Sequence, residues 1–395
     1  MVIILDMGYI FAKNKMEHYD IIIIGAGIAG TGLAYNLSQE CPDKSVLVID
    51  KEGVGANAAY GYRNTDKDTV RKYGLKYSHV FDGIKVGTYD KTYITIKRKF
   101  YFMDYKKTCK NFINKSKAHL NRETALNITA KILITSKKKY SFDYLVDASG
   151  HSLFSRKKLN KKLPYRYWIG KTRIIKSKIK LKNYYHHQFS DGEYLEDLYP
   201  LDGKILQGDW QYSKRLDFNS IIVPKKTLCR NLIKNPKIEK TFNVAIPCAH
   251  IPPLITKNIV CLGDSFGNAY TSSACGIKPI IESSALLTKA IEENDLGLFQ
   301  KKWEARFLNN YNKFLASRMD RYHNNKLIKA IKNYPKVTDV IRIMSKYPES
   351  FLSIFDNEDY FEMPEEIKQK FPFHQKLFLA INWALIKLDY RLNRN

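Results

Sequence analysis

The chain has 395 residues, of which 44% are hydrophobic and 13% aromatic, and its formal net charge is +27. This length corresponds to roughly two to three domains, and the composition excludes disordered, collagen-like and coiled-coil chains. No run of about 18 uncharged apolar residues occurs, so a membrane-spanning helix is not expected. Lysine is spread along the whole chain, which favours a general compositional bias over a nucleic-acid surface as the source of the charge.

The N-terminal part of the chain predicts a βαβ unit, preceded by a segment that we expect to take no part in the fold. Residues 1–15 have no basic segment typical of a signal peptide and are interpreted as an extension before Met16. A β-branched run predicts a buried strand over 19–24, helical spacing predicts a helix over 28–39, and an apolar run predicts a strand over 45–49. A unit of about 30 residues is typical of a doubly wound parallel sheet.

The rest of the chain predicts a second, antiparallel sheet and a helical end. Alternation of apolar and polar residues indicates antiparallel strands, whereas short continuous apolar runs indicate buried parallel strands. The predicted elements are antiparallel strands within 77–103 and within 165–250, helices over 106–117 and 277–292, strands over 131–135, 142–147 and 258–262, and a mostly helical region up to residue 395.

The six cysteines include no pair at CxxC spacing. Zinc ribbons and iron–sulfur clusters therefore have no support, and no metal site is expected. A chain of this length needs no disulfide scaffold. We expect reduced thiols in a cytoplasmic protein.

A glycine-rich motif joins the first predicted strand to the first predicted helix. Gly25, Gly27 and Gly30 form the pattern GxGxxG, and Asp50 lies 20 residues beyond Gly30, where the next strand ends. The first glycine allows a tight turn, the second lets the backbone approach a pyrophosphate, and the third lets the helix pack on the strand. The helix N-terminus offers amide donors and a partial positive charge to the anion. Asp50 is expected to accept hydrogen bonds from an adenosine ribose.

Two later segments extend this motif. Asp147-Ala-Ser-Gly150 ends a predicted strand, Gly263-Asp264-Ser-Phe-Gly267 follows another, and Gly276-Ile277 comes nine residues after Gly267. In this order the three segments resemble the FAD-binding flavoproteins of the para-hydroxybenzoate hydroxylase type. They resemble the geranylgeranyl reductase branch of that class more closely. The resemblance extends from about residue 17 to about residue 300, with specific motifs in three short stretches.

The resemblance implies that the cofactor is FAD and that Asp264 binds its ribityl chain. It also implies that the helix starting at Gly276 and Ile277 lies beside the flavin pyrimidine ring, where a helix N-terminus stabilises the anionic reduced flavin. The cofactor-binding residues that the motifs and the resemblance predict are Gly25, Ala26, Gly27, Ile28, Ala29, Gly30, Asp50, Lys51, Gly150, Gly263, Asp264, Gly276 and Ile277.

Two residues are candidates for a proton donor. The related reductases carry a Tyr-x-Trp-x-Phe-Pro segment, and residues 195–200 occupy its place here, with Asp197 at the Trp position and Tyr199 at the Phe position. Cys275 lies in the loop expected beside the flavin ring, where the related proteins have glycine. Tyr199 and Cys275 are therefore candidate acids. For Cys275, the role of a small buried apolar residue is the favoured alternative.

Together, the elements and the resemblance predict an α/β fold: a Rossmann-like FAD-binding domain with a parallel sheet, an antiparallel substrate domain and a helical C-terminal region. The pair His186-His187 falls between predicted strands and is interpreted as solvated surface. The predicted divisions are an N-terminal extension (1–15), the first part of the FAD-binding domain (16–164, with 77–103 joining the substrate domain), the substrate domain (165–255), the second part of the FAD-binding domain (256–300) and the helical C-terminal region (301–395).

The function that the resemblance implies is reduction of carbon–carbon double bonds in an isoprenoid or lipid substrate by hydride transfer from reduced FAD. An apolar tunnel is expected near Tyr194, Leu198, Tyr199, Ile205 and Trp210, because apolar walls hold a polyprenyl chain by about 0.8 kcal/mol per CH₂. Two alternatives stay open. One is a flavin monooxygenase or halogenase on the same fold, and the other is an RNA-binding flavoprotein that acts on or recognises tRNA, although the charge pattern makes a nucleic-acid partner the less favoured case.

The partners follow from the same reasoning. No second dinucleotide motif identifies an electron donor, which leaves a reduced protein or a soluble cofactor. The last predicted helix, over 373–394, has an apolar face flanked by Lys and Arg. Such a helix packs on its own protein in most cases, but it also suits peripheral contact with an anionic membrane surface.

Overall fold

The computed structural model of the protein describes residues 16–56, 63–64, 67–88, 93–161, 163, 167–177, 182–189, 194–213, 215–223, 231–233, 236–247, 255–267 and 276–307. The predictions for residues 1–15, for Cys275 and for the chain beyond residue 307 fall outside this part of the chain and stay predictions. No helix in the described part is long and apolar enough to cross a bilayer.

The strands and helices follow one another from the first βαβ unit to a pair of C-terminal helices. In chain order the strands are β1 (Glu17–Ile24), β2 (Val46–Asp50), β3 (Arg63–Asn64), β4 (Tyr77–Phe81), β5 (Gly83–Thr88), β6 (Tyr93–Ile96), β7 (Phe100–Met103), β8 (His119–Arg122), β9 (Ala125–Ile128), β10 (Ile132–Thr135), β11 (Lys139–Asp147), β12 (Tyr167–Lys176), β13 (Tyr184–Phe189), β14 (Tyr194–Leu201), β15 (Lys204–Ser213), β16 (Lys237–Pro247) and β17 (Ile259–Cys261), and the helices are α1 (Ile28–Glu40), α2 (Lys67–Lys72), α3 (Tyr105–Lys115), α4 (Phe154–Lys158), α5 (Ile277–Glu292) and α6 (Leu296–Phe307).

A seven-stranded sheet with a parallel centre carries the first βαβ unit. Strands β8, β2, β1, β11 and β17 lie side by side in that order and run parallel, and β10 and β9 extend the sheet antiparallel from β11. Ile21, Ile22 and Ile23 of β1 are fully buried, because apolar layers cover both faces of such a sheet. The predicted strands over 19–24 and 45–49 and the helix over 28–39 are confirmed, with ends that differ by one or two residues.

Helix α1 lies at the centre of the helical layer on this sheet. It packs against α3 on one side and α5 on the other. Leu33 and Leu37 of α1 and Leu287 of α5 are fully buried in one core cluster. The small residues of α1 let its neighbours approach closely, so the N-terminus of α1 is held in a fixed position at the end of β1.

The second sheet is antiparallel with one exception. Its order is β16-β12-β15-β14-β13-β5-β6, in which β13 and β5 are the parallel pair. The predicted strands within 77–103 divide between two sheets: β5 and β6 join this one, whereas β4 and β7 form a three-stranded sheet with β3. The interpretation of His186-His187 as solvated surface is wrong, because both residues lie in β13, an internal strand, and His187 is 5% exposed.

Strand register divides the residues of the expected tunnel between two faces of this sheet. Tyr199 is paired with Leu206, and Leu198 with Gln207, so Tyr199 and Leu198 point in opposite directions. One face, here called the aromatic face, carries Tyr185, His187, Leu195, Asp197, Tyr199 and Trp210; the opposite face carries Tyr194, Glu196, Leu198, Ile205, Gln207 and Asp209. Tyr194, Leu198 and Ile205 therefore cannot line the same tunnel as Tyr199 and Trp210.

We expect Gly30→Ala to destabilise the protein by about 1–3 kcal/mol or more, since overpacking against rigid neighbours has costs of this size. A Cβ on Gly30 would overlap the carbonyl oxygen of Gly25, which is backbone and cannot rotate away. The matched control is Gly32→Ala, two residues along α1, where a Cβ would lie 3.8 Å from Ser284 Oγ in ordinary contact. This control should be neutral or stabilising by up to about 1 kcal/mol, because alanine favours a helix over glycine. Urea unfolding measures both values, and equal stability of the two variants would contradict the packing argument.

Candidate functional site

The turn after β1 brings backbone amides to the carboxyl end of the parallel sheet. Gly25 has φ +109°, and a Cβ there would lie 2.8 Å from the carbonyl carbon of Ala148. Gly25 also donates its amide to the carbonyl oxygen of Ile49 at 2.7 Å. Gly27 follows in extended conformation as the residue before α1. The first and third glycines of the motif are therefore required by backbone packing, and the N-terminus of α1 opens directly after them.

Asp50 ties this turn to the loop that follows β2. Its carboxylate accepts hydrogen bonds from the amides of Ala26, Glu52 and Gly53, each at 2.8 Å. An ionised carboxylate has about four lone-pair positions, so it can still accept from a ribose hydroxyl. Lys51, the next residue, is exposed and pairs with Glu52 at 3.4 Å.

A second loop, after β11, meets the glycine turn from the neighbouring strand. The buried Asp147 carboxylate accepts from the amides of Ser149 at 2.9 Å and Ser155 at 2.6 Å, and the amide of Ala148 donates to Ile24 at 2.9 Å. Gly150 has φ +64°, and a Cβ on it would meet nothing within 4 Å. The loop is thus rigid at its base, with open space beside Gly150.

A third loop, the 3₁₀ turn Gly263–Phe266, closes the arrangement. A Cβ on Gly263 would lie 2.8 Å from the Cβ of Ala29, which places this turn against the first turn of α1. Ser265 Oγ donates to the backbone oxygen of Asp147, and the buried Arg156 donates from Nε to the backbone oxygen of Ser265 at 3.0 Å. Sequence reasoning missed the structural roles of Arg156 and Ser265, because both act through hydrogen bonds between loops more than 100 residues apart in the sequence.

Asp264 is the acid of the third loop. It is half-buried, and burial raises its pKa to about 6. A carboxyl group with such a pKa readily changes between donating and accepting hydrogen bonds near neutral pH. A group of this kind suits a ribityl hydroxyl, which can act in either direction.

The start of α5 lies further along the chain. The backbone oxygen of Gly276 accepts from the amide of Ile280 at 2.8 Å, and Ile277 packs against the core that α1 and α5 share. The loop before Gly276, which contains Cys275, is outside the described residues. The place of the α5 N-terminus beside a flavin ring therefore stays a prediction.

These loops fit a dinucleotide cofactor. The glycines of the turn add no side chains of their own in the way of a pyrophosphate, and the N-terminus of α1 supplies amide donors. Carboxylates lie on both sides of the turn, Asp50 at the end of β2 and Asp264 after β17. Among the described residues, no three His, Cys, Asp or Glu side chains are grouped so that they could hold a metal ion.

Comparison with known proteins agrees with this geometry. Residues 20–64 match the family model for DAO, FAD dependent oxidoreductase. Over 35 residues the chain is 43% identical to the FAD-containing monooxygenase EthA of Mycolicibacterium smegmatis, a match that spans 9% of this chain and 7% of that protein. The cofactor is FAD, and the part of the chain around the glycine motif is similar to FAD-dependent oxidoreductases. The chain spans less than a tenth of the length of the curated relatives that it matches.

Solved structures extend the similarity to most of the chain. A geranylgeranyl bacteriochlorophyll reductase-like protein from Thermoplasma acidophilum has a TM-score of 0.67 at 15% identity, covering 87% of this chain and 100% of that chain. The flavin-dependent brominase Bmp2 has a TM-score of 0.60, also at 15% identity, covering 87% and 99%. At these identities the likeness shows the fold, which confirms the predicted α/β class with its Rossmann-like FAD-binding part.

The aromatic face of the second sheet holds Tyr199, a candidate acid. Its ring stacks on Tyr185 with 5.6 Å between centroids and an interplanar angle of 14°, and lies 5.3 Å from the ring of Phe102. Beside it, His187 Nδ1 pairs with Asp197 Oδ1, and both side chains are buried. The pair was missed because it joins neighbouring strands β13 and β14, and only their register places the two residues opposite each other.

The opposite face of this sheet has its own polar cluster. The buried Asp209 carboxylate accepts from Tyr194 Oη, from Gln207 Nε2 at 2.7 Å and from Arg173 Nη1. These groups come from β12, β14 and β15 and satisfy the charge where it is buried. The cluster therefore ties three strands together, on the face away from Tyr199.

We expect Asp50→Ala to weaken FAD binding at least about tenfold, because hydrogen bonds to a charged acceptor are worth ~1.5–3 kcal/mol each. The variant should also lose stability, since three backbone amides lose their acceptor. The control is Asp20→Ala at the other end of the same strand pair, where the carboxylate accepts from the Ser45 amide at 2.7 Å and from its hydroxyl at 2.6 Å. Asp20→Ala should lower the melting temperature and leave the FAD dissociation constant unchanged. If the FAD titration of Asp50→Ala matched that of the wild type, Asp50 would not be a cofactor-binding residue.

A pH-dependent stability difference should follow from Asp264. The folded pKa of about 6 lies above the ordinary value of 3.8, so the folded state holds this proton more tightly than the unfolded chain. Stability of the cofactor-free protein is therefore lost as pH rises from about 4 to about 6 and stays lower above that range. We expect cofactor-free Asp264→Asn to melt higher than the wild type at pH 7.5 and to match it near pH 4. Melting curves across this range test the claim, and a constant difference at every pH would refute it.

Proposed function

We propose that the protein reduces carbon–carbon double bonds of an isoprenoid or other lipid substrate. The observation that carries the proposal is the aromatic face, where Leu195, Tyr199 and Trp210 are each buried on one side of the second sheet. A wall of this kind binds a chain through apolar area and needs few polar contacts to orient it. The likeness to the Thermoplasma acidophilum reductase-like protein supports the same choice.

Bound FAD in its reduced form supplies a hydride for such a reduction. The chain's own residues then have to bind the apolar substrate, exclude water and supply a proton to the second carbon. Tyr199 carries a hydroxyl on the aromatic face, and the His187 ring lies edge-on to it with 6.4 Å between centroids. The His187–Asp197 pair lies beside Tyr199 on this face, and it suits the return of a proton to the tyrosine after each turnover.

A second candidate function is oxygen-dependent monooxygenation or halogenation. It is supported by the match of residues around the glycine motif to the monooxygenase EthA and by the likeness to the brominase Bmp2. In that case the same His187–Asp197 pair would act as a base on an aromatic substrate. Both candidate functions need an electron donor, a reduced protein or a soluble cofactor. A peripheral membrane contact belongs to the first, since a lipid substrate must be taken from a bilayer or a carrier.

The experiment is anaerobic reduction of the purified FAD-loaded protein, followed by incubation with polyprenyl lipids and mass spectrometry. The expected result is a gain of two hydrogen atoms per reduced double bond, with reoxidation of the flavin in the absence of oxygen. Tyr199→Phe should keep FAD and reduce the rate of this reoxidation at least about tenfold, within the usual range for loss of a general acid. Tyr212→Phe, another tyrosine of the same sheet face that packs on Trp168, is the control and should react at the wild-type rate. Reoxidation only with oxygen and an aromatic substrate would reject the reductase in favour of the second candidate.

A further inference from the structure

A tyrosine hydroxyl lies directly at the glycine turn and belongs to none of the three sequence motifs. Tyr105 is the first residue of α3, which Asp104 caps by accepting from the Lys107 amide at 2.9 Å. The Tyr105 hydroxyl accepts a hydrogen bond from the amide of Ile28 at 3.0 Å. A Cβ on Gly27 would lie 2.9 Å from the same oxygen. The hydroxyl therefore lies over the second glycine of the motif, where a pyrophosphate approaches the backbone.

The surroundings of this hydroxyl keep its proton in place. Burial raises the pKa of Tyr105, and the negative charges of Asp264 and Asp50 raise it further. Its hydroxyl therefore feels both the acid expected at the ribityl chain and the acid expected at the adenosine ribose. The pyrophosphate of an extended FAD links these two parts of the molecule.

The hydrogen-bonding capacity of the group allows it to serve a ligand in this position. A phenolic hydroxyl has one proton to donate and lone pairs with which to accept. The Ile28 amide donates to one lone pair of the hydroxyl oxygen. Cys109 is a second hydrogen-bonding neighbour, and because burial raises its pKa to about 12 it is a protonated thiol that can donate to the other lone pair. With both lone pairs used in this way, the hydroxyl proton is left for an acceptor on the cofactor side. Two lysines of the neighbouring segments already have acidic partners: Lys51 pairs with Glu52 at 3.4 Å and Lys107 with Asp104 at 3.2 Å. A neutral hydroxyl donor is therefore well placed to supplement the amides of α1.

We propose that the Tyr105 hydroxyl donates a hydrogen bond to the pyrophosphate of FAD while it accepts one from the Ile28 amide. Tyr105 is then a cofactor-binding residue that links α3 to the glycine turn. The proposal rests on FAD binding and is independent of the substrate proposed above.

The test compares Tyr105→Phe with the wild type for three ligands: FAD, ADP and riboflavin. FAD and ADP contain a pyrophosphate, whereas riboflavin contains no phosphate. We expect the dissociation constants for FAD and ADP to rise by the same factor, about tenfold or more for a hydrogen bond to a charged group, and the riboflavin constant to stay unchanged. Flavin fluorescence gives the FAD and riboflavin constants, and competition with FAD gives the ADP constant.

The matched control is Tyr35→Phe, which also removes one hydroxyl where α1 and α3 meet: Tyr35 belongs to α1, and its ring stacks on Phe112 of α3 with 5.7 Å between centroids. This variant should bind all three ligands like the wild type. An equal loss of affinity for all three ligands in Tyr105→Phe would overturn the proposal, because it would mean that the hydroxyl only stabilises the turn. Unchanged or tighter FAD binding would also overturn it, since the freed Ile28 amide would then serve the phosphate better than the hydroxyl does.

Discussion

Close backbone packing at the carboxyl end of β1 is the constraint on which the rest of the site depends. Gly25 lies against the backbone at Ala148, Gly30 against the backbone of Gly25, and Gly263 against the short side chain of Ala29. Where two main chains touch, no side chain can intervene, so the three loops hold one another at fixed distances. The N-terminus of α1 is thereby aimed at the same place as the ends of β11 and β17. A dinucleotide finds its amide donors already arranged and spends little binding energy on ordering them.

The three acids at this edge differ in how fully the protein satisfies them. Asp147 and Asp50 accept two and three backbone amides, respectively, and so hold the loops in shape. For Asp264, burial is the effect that changes its pKa. A carboxyl group that is costly to ionise contributes little to the stability of the fold. It gains hydrogen bonds, and loses part of that cost, when a ligand supplies hydroxyl groups. Asp50 thus serves the fold in addition to its predicted contact with the ribose, whereas for Asp264 the predicted contact with the ribityl chain is the role that its burial favours.

The sequence predicts the parts of this arrangement that are local. The hydrophobic periodicity of residues 19–50 predicts β1, α1 and β2, because each pattern arises within a single strand or helix. The GxGxxG pattern predicts the turn between β1 and α1. Strand register cannot be predicted from such local patterns. His187 and Asp197 meet only because of how β13 and β14 pair, and the register of β13, β14 and β15 decides which side chains share a face with Tyr199 and which with Leu198. Tyr105 lies 77 residues from Ile28, a separation that no local pattern encodes.

The buried pair His187–Asp197 explains how the aromatic face accommodates a carboxylate. A lone Asp197 among aromatic rings would be costly to bury and would favour a cationic headgroup as its partner. Its contact with His187 provides that partner inside the protein, and the rings of Tyr185 and Tyr199 cover the histidine edge-on. The carboxylate is therefore satisfied by a neighbouring strand and needs no charged ligand, which is why an acid can lie among aromatic rings at this position.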